Sequence, residues 1–337
     1  GCKIPQRFLL KLLEVFNSPN SAKDHCLSST SFDKEAIGVG VDCALVPLRN
    51  GLNLVQTTDF LYPIVEDPFK MGQIACANVL SDLYAFGITS VDNLLMIVGL
   101  PWEMSSQERD VTLGLLRDGF KERATQAGAT IRGGDTKFNA WLMLGGVATS
   151  IVKSPDIIRP SNAKIGDAIL LTKPLGTHLA TTLHRWTTDA EKLASVNAVI
   201  TKSEIEISYN MALNSMIHLN RTAAHLMHLF EAHAATDITG YGLIGHAETL
   251  IKFQNDSVDF IIDKLPIIKN MLKVDTFLGG KFKLLEGRAI ETSGGLLVCL
   301  PLENVEKFQN ALMEKENWES WQIGHVVQGN RQVKLID

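Results

Sequence analysis

The sequence predicts an α+β protein of two domains, and three observations carry that expectation. The first half sets strand signals around one long apolar helix and contains Asn50-Gly51, a dipeptide that marks a two-residue turn between antiparallel strands. A polar segment from Lys153 to Lys164, with Pro155 and Pro160, then interrupts the pattern. It places the domains at 1–152 and 164–337. Strands and helices mix again beyond it, in a chain of 337 residues that is 45% hydrophobic and 20% charged, long enough for two domains.

The elements of the first half read in order. Residues 6–16 form a helix with Phe8, Leu9, Leu12, Leu13 and Phe16 on one face, and residues 17–35, rich in Ser, Asn and Asp, form a loop. An apolar strand follows from Gly38 to Val46, interrupted by Asp42, and the Asn50-Gly51 turn leads into a strand over 52–59. Pro63 and Pro68 precede a helix that ends near Gly87, and Asn93 to Gly99 reads as a buried strand. Ser105, Ser106 and Glu108 cap a helix that stops at Gly128. Ala129 to Arg132 is a short strand ending in Gly133-Gly134-Asp135. Trp141 to Val152 is another, in which Gly145-Gly146 marks a bulge or a close backbone approach.

The second half begins with a strand at 167–172. Helices follow at 177–185, 200–219, 221–233 and 243–252. Then come a strand at 258–262, a long loop, a strand at 295–300 and a helix at 302–315. A final pair of strands, 321–327 and 332–335, is joined by a turn at Gln328-Gly329-Asn330.

Composition excludes several function classes. The net charge of −5 argues against a general nucleic-acid or anionic-membrane partner. No run of eighteen apolar residues is present, so no spanning helix is expected. The five cysteines are scattered without a CxxC pair, which suggests neither a disulfide framework nor a zinc knuckle and makes a reducing, cytoplasmic compartment the default. The chain opens at Gly1 rather than Met, and an N-terminal segment is expected to be missing.

The chemistry centres on lone acids in apolar surroundings. Asp82 sits among Leu80, Ser81, Leu83, Tyr84, Ala85 and Phe86, and no Lys or Arg occurs from Met71 to Glu108. An ionised carboxylate in a buried helix needs a partner from elsewhere in the fold, or a bound cation. The alternative is a solvated helix edge or a cap. Asp42 and Asp237 are similarly isolated, and Asp59 and Asp135 stand at strand ends. Several hard oxygen ligands without local cations suit Mg²⁺; the bland alternative is unrelated turn and cap residues.

Other motifs are weaker. Gly240-Tyr241-Gly242-Leu243-Ile244-Gly245 matches G-x-G-x-x-G, but a helix ending near His233 is expected before it in place of a strand, so the match reads as accidental. No Walker A sequence exists, so ATP would have to bind by another design. Gly133-Gly134-Asp135 would let a backbone approach phosphates, or be a plain tight turn. His225, His228 and His233 share a helix but lack any HExxH support, and read as surface or packing residues. Lys3, beside Cys2, is a phosphate-reaching lysine next to a thiol, or an ordinary terminal residue.

A run of motifs then carries a resemblance. GCKIP (1–5), TTDF (57–60), Pro63-Ile64-Val65 with Asp67-Pro68-Phe69, and Ala77 to Ala85 occur in one order with LTKPLG (171–176), LNRTAA (219–224), HAATDITGYGLIGHA (233–247) and TSGGLL (292–297). Together they cover nearly the whole chain, and the sequence resembles selenophosphate synthetase, most of all its eukaryotic branch. The resemblance implies that selenide, ATP and water give selenophosphate, AMP and phosphate. It implies the two-domain fold of the aminoimidazole ribonucleotide synthetase superfamily, with an N-terminal sheet that pairs with a second copy into a β-barrel and a C-terminal α/β sandwich.

Carried over by motif, Asp42, Asp82 and Asp237 match metal-ligand positions, with Mg²⁺ as the ion and potassium as a candidate second cation. Asp59 and Asp82 match nucleotide-contacting positions. Val39, Gly40 and Val41 fall in one ATP-contacting stretch. Gly133, Gly134 and Asp135 fall in another, whose third residue departs from the family pattern. Lys3 matches the catalytic lysine. Selenocysteine-pathway proteins are the implied partners. The family's catalytic cysteine or selenocysteine lies two residues before the position of Cys2, which would precede Gly1, so this chain is expected to lack full activity. Some relatives carry another residue there and are read as non-synthesising, with ATP and Mg²⁺ bound for a regulatory or scaffold role. A different ATP enzyme of the same superfamily is disfavoured by GCKIP and LNRTAA, and a nicotinamide oxidoreductase by the context of residues 240–245.

Overall fold

One helix lies at the junction of two sheets and organises both. The computed structural model describes Lys3 and residues 40–336; the expected helix at 6–16, the loop at 17–35, Cys2 and Val39 lie outside the described residues. The first sheet contains β1 (Ala44–Pro47), β2 (Leu52–Leu61), β3 (Asn93–Pro101), β4 (Ile131–Asn139) and β5 (Met143–Lys153) in the order β1-β2-β5-β3-β4. Its helices are α1 (Pro68–Ala85) and α2 (Ser106–Gln126).

The local sequence explains α1. Asp67 caps it, accepting from the N–H of Phe69 (2.8 Å) and Lys70 (3.2 Å), and Pro68 occupies a first-turn position where no donor is needed. Every residue from Met71 to Ala85 except Asp82 is buried, as expected for a helix apolar on all sides. The helix crosses α2 at two glycines. A Cβ on Gly72 would stand 2.2 Å from the Leu116 carbonyl oxygen, and one on Gly119 would stand 1.9 Å from that of Phe69. Ser105 and Glu108 form the expected capping box of α2.

β2 pairs antiparallel with β5 over its whole length, from Leu52 opposite Lys153 to Leu61 opposite Leu144. The Gly145-Gly146 pair is a close approach, since a Cβ on Gly145 would meet the Asp59 carbonyl at 2.1 Å. β3 and β4 pair in parallel, with α2 as the crossover.

The second half contains β6 (Asp167–Leu171), α3 (Thr177–Trp186), α4 (Ala190–Ala194), α5 (Lys202–Ile217), α6 (Arg221–Leu229), β7 (Ala234–Asp237) and α7 (Gly242–Lys252). It continues with β8 (Val258–Ile262), α8 (Met271–Phe277), β9 (Leu296–Pro301), α9 (Val305–Glu316), β10 (Trp321–Gln328) and β11 (Val333–Leu335). The sheet order is β11-β8-β10-β6-β9-β7. The largest core joins the halves: Leu80, Leu83 and Phe86 pack in one cluster with Leu170, Met216, Leu226 and Val298.

Five local expectations are corrected. The strand expected from Gly38 spans only Ala44–Pro47; Asp42 lies before it, where its carboxylate accepts from Thr236 of β7 (3.1 Å). The turn after β1 is longer than two residues, because the Leu48 N–H bonds the Leu52 carbonyl at 2.8 Å. Gly133-Gly134-Asp135 sits inside β4, not at its end; β4 packs so closely on β3 that a Cβ on Gly134 would meet the Met96 carbonyl at 1.8 Å. The helix expected to reach His233 stops at Leu229. Glu231 turns the chain at φ 57, and residues 234–237 enter the sheet as β7. The last two strands do not pair with each other; β10 runs antiparallel to one side of β8 and β11 parallel to the other.

Candidate active site

Four acids from distant parts of the chain meet beside α1. Asp59 comes from β2, Asp82 from the last turns of α1, Asp42 from the turn before β1 and Asp237 from the end of β7. Three of them are oriented by a neutral neighbour. The Thr57 hydroxyl donates to Asp82, Asn78 Nδ2 donates to Asp59 at 2.6 Å, and the Thr236 hydroxyl donates to Asp42. Asp237 is 2% exposed, and its Oδ2 has no hydrogen-bond partner among the described residues. A buried carboxylate oxygen left unpaired in this way costs free energy unless a cation takes it.

The electrostatics agree with the geometry. Burial pushes the Asp42 carboxyl up to about 8, helped by the charge of Asp237. Burial also raises Asp82 well above the usual carboxylate range, with Asp237, Asp42 and Asp59 adding to it. Asp237 is raised chiefly by burial and held back by Lys3. Like charges that raise one another signal a ring short of positive charge.

Lys3 supplies part of it. Burial works to lower its pKa, but Asp237, Asp59, Asp82 and Asp42 outweigh that and raise it. Its residue as a whole is exposed, so the acids act on the ammonium end while the rest of the residue stays open to water. The ammonium lies 5.5 Å from the centre of the Tyr241 ring, within cation–π range.

His246 completes the cluster. Ligand atoms of Asp42, Asp237 and His246 lie within 4.8 Å of one another. Burial, and then Lys3, holds the imidazole well below its ordinary pKa, so it is neutral. Its Nε2 already faces the Thr239 hydroxyl at 3.1 Å, which leaves carboxylate oxygens as the main free donors. A set of hard oxygens with one orphaned atom fits a divalent cation such as Mg²⁺.

The expected residues divide clearly. Asp42, Asp59, Asp82, Asp237 and Lys3 converge. Gly40 and Val41 lead directly into Asp42, with Gly40 at φ 97. Gly133, Gly134 and Asp135 do not join them; they lie on the exposed β4, where Asp135 pairs with Lys137 at 3.3 Å. His225, His228 and His233 do not converge. His225 is exposed, His228 bonds the Gly87 carbonyl and His233 bonds Asp167.

The G-x-G-x-x-G stretch does follow a strand, contrary to expectation. It still makes no dinucleotide site, because β7 and β8 lie far apart in the sheet and the acid on β8, Asp259, is committed to Lys334 at 2.7 Å. Sequence reasoning missed Asn78, Ser81, Thr236 and His246. Asn78 and Ser81 carried the same signal as Asp82, a polar side chain in an apolar helix.

The chain resembles known proteins over both of its halves. The AIR synthase related protein family matches with its N-terminal domain over residues 40–152 and its C-terminal domain over residues 164–336. Selenide, water dikinase 2 of Mus musculus is 44% identical, covering 100% of this chain and 79% of its own length. Selenide, water dikinase 2 of Drosophila melanogaster is 45% identical, covering 98% of this chain and 89% of its own. Among solved structures, AaThiL complexed with AMPPCP and TMP superposes at TM-score 0.70 and 17% identity, covering 97% of this chain and 92% of that one. Hydrogenase maturation protein HypE in complex with ATP superposes at TM-score 0.63 and 18% identity, covering 84% and 81%. Those two likenesses establish the fold, and the sequence relatives establish the kinship: the chain belongs to the selenide, water dikinase family, built from the two AIR synthase related domains.

Proposed function

We infer that this chain makes selenophosphate from selenide, ATP and water, releasing AMP and phosphate. The observation that carries the reading is the ring of Asp42, Asp59, Asp82 and Asp237 around Lys3, in a chain 44% identical to a selenide, water dikinase. Asp42, Asp82 and Asp237 would hold Mg²⁺, which would screen the triphosphate charge and favour attack at phosphorus. Potassium is a candidate second cation for the same oxygen-rich ring.

The chain's own residues do the positioning. Thr57, Asn78 and Thr236 fix the directions in which Asp82, Asp59 and Asp42 present their oxygens. Lys3, kept protonated by the acids, offers its charge to the transferring phosphoryl group. Gly40 and Val41 bring backbone beside the nucleotide.

A homodimer through the first domain is part of this reading. Phe60, Trp102, Phe138 and Trp141 are each at least half exposed. Among the described residues β4 ends the sheet with one side of its ladder unpaired, and such an edge is a template for a second chain. Gly133, Gly134 and Asp135 reach the nucleotide only in that assembly.

The test is ³¹P NMR of ATP, selenide and Mg²⁺ with the protein. Selenide-dependent selenophosphate and AMP in equal amounts support the reading. Nucleotide binding without selenophosphate would replace synthesis with a non-synthesising ATP-binding role. A monomeric mass at micromolar concentration would remove the dimer.

A further inference from the structure

Lys173 is 0% exposed, yet no carboxylate pairs with it among the described residues. Its ammonium instead donates to two backbone carbonyls, those of His218 (2.7 Å) and Ser293 (2.8 Å). Burial lowers its pKa to about 7, opposed first by the charge of Asp237. A buried cation held only by dipoles is costly in a core that an apolar side chain could fill.

Ser293 is unusual as well. It is 1% exposed and holds φ 46, a left-handed conformation that a side chain disfavours. Bonds on both sides keep it there. Its carbonyl accepts from Lys173, and its N–H donates to Asn78 Oδ1 at 3.0 Å. The Asn78 amide then donates to Asp59. The next residue is tied in the same direction, since Asn220 bridges the Gly294 carbonyl (2.9 Å) and the Ser81 hydroxyl (3.1 Å) on α1.

We propose that Lys173 is a positioning residue for the nucleotide site: it pins Ser293, Ser293 sets the Asn78 amide, and Asn78 aims the Asp59 carboxylate. The inference rests on the reading of the acid ring as a MgATP site. Without the ammonium, residue 293 relaxes from its left-handed conformation and the Asn78 amide loses one of its two anchors. Asp59 then turns away from the ring.

The experiment is a double-mutant cycle on the full chain, with MgATP affinity by calorimetry and Tm by thermal melting. Lys173→Gln and Asn78→Ala each weaken MgATP binding about tenfold or more, the scale for residues that orient a ligand-holding side chain. The double variant binds no more weakly than the weaker-binding single one, and the two losses in Tm are likewise less than additive, because both side chains bond Ser293. Lys173→Arg, which keeps charge and donors, restores affinity. Binding losses that multiply, or wild-type affinity in Lys173→Gln, would overturn the proposal and leave Lys173 a packing residue. Should Lys173→Gln not fold, wild-type affinity in Asn78→Ala overturns it alone. A wild-type chain that binds no MgATP removes the nucleotide reading first, and this inference with it.

Discussion

Helices α1 and α2 cross at Gly72 and Gly119, yet they treat charge in opposite ways. α2 carries Glu108, Arg109, Asp110, Arg117, Asp118, Lys121, Glu122 and Arg123, and its buried residues reduce to Leu116, Gly119, Phe120 and Ala124. Water solvates most of those charges. α1 is buried along nearly its whole length and carries one acid between Met71 and Ala85, Asp82. The contrast shows why a count of charged residues says little about function: the same carboxylate is inexpensive on α2 and costly on α1. A fold keeps the costly one where a ligand or a cation repays it.

The largest expected effect attacks the costly charge. Asp82→Asn lowers MgATP affinity by about a hundredfold, close to 2.7 kcal/mol, measured by calorimetry. The variant stays folded because Asn keeps the size of the side chain and Thr57 keeps a partner. Unchanged affinity would remove Asp82 from the metal site.

The ring also sets a pH dependence. A carboxyl whose folded pKa lies above its unfolded value binds its proton more tightly in the folded state. The ring's contribution to metal-free stability is therefore greatest at low pH, and it falls as pH rises from about 4 to about 8, the window given by Asp42. Tm measured without metal should decline over that range, and Mg²⁺ should restore more of it at pH 8 than at pH 5. A Tm that rises over the same window would mean that Lys3 already neutralises the ring.

The crossing itself is the next target. Gly119→Ala forces a methyl against the Phe69 carbonyl and costs about 1–3 kcal/mol in denaturant unfolding. Equal stability would mean the helices slide apart freely. The smallest effect is expected from Arg117→Ala. Its pair with Asp118 joins side chains 64% and 51% exposed, and its loss changes stability by less than about 0.5 kcal/mol. A larger cost would show that α2 is not simply a solvated face.

Part of this was legible from local pattern. Asp82 stood out because burial of α1 is written in its own residues, and the cap of α2 because Ser105 and Glu108 are three apart. Other features were hidden in partners distant in sequence. His246 reads as an unremarkable helical residue until β7 brings Asp237 beside it, and Lys173 reads as a motif lysine until its ammonium is seen on the carbonyls of residues 218 and 293. Residues 234–237 failed as a strand signal because four residues carry little periodicity, and only the partner β9 decides their conformation.

The sequence by itself determined the two-part α+β plan, the buried helix and the acids that needed a partner, because hydrophobic period and capping act over a few neighbouring residues. Only the tertiary structure decided which acids share one site, that Gly133-Gly134-Asp135 stands apart from them in a single chain, and how β11 reaches β8 instead of β10. Those outcomes depend on pairings between segments far apart in the chain, where burial and hydrogen-bond satisfaction choose among partners that local pattern leaves equivalent.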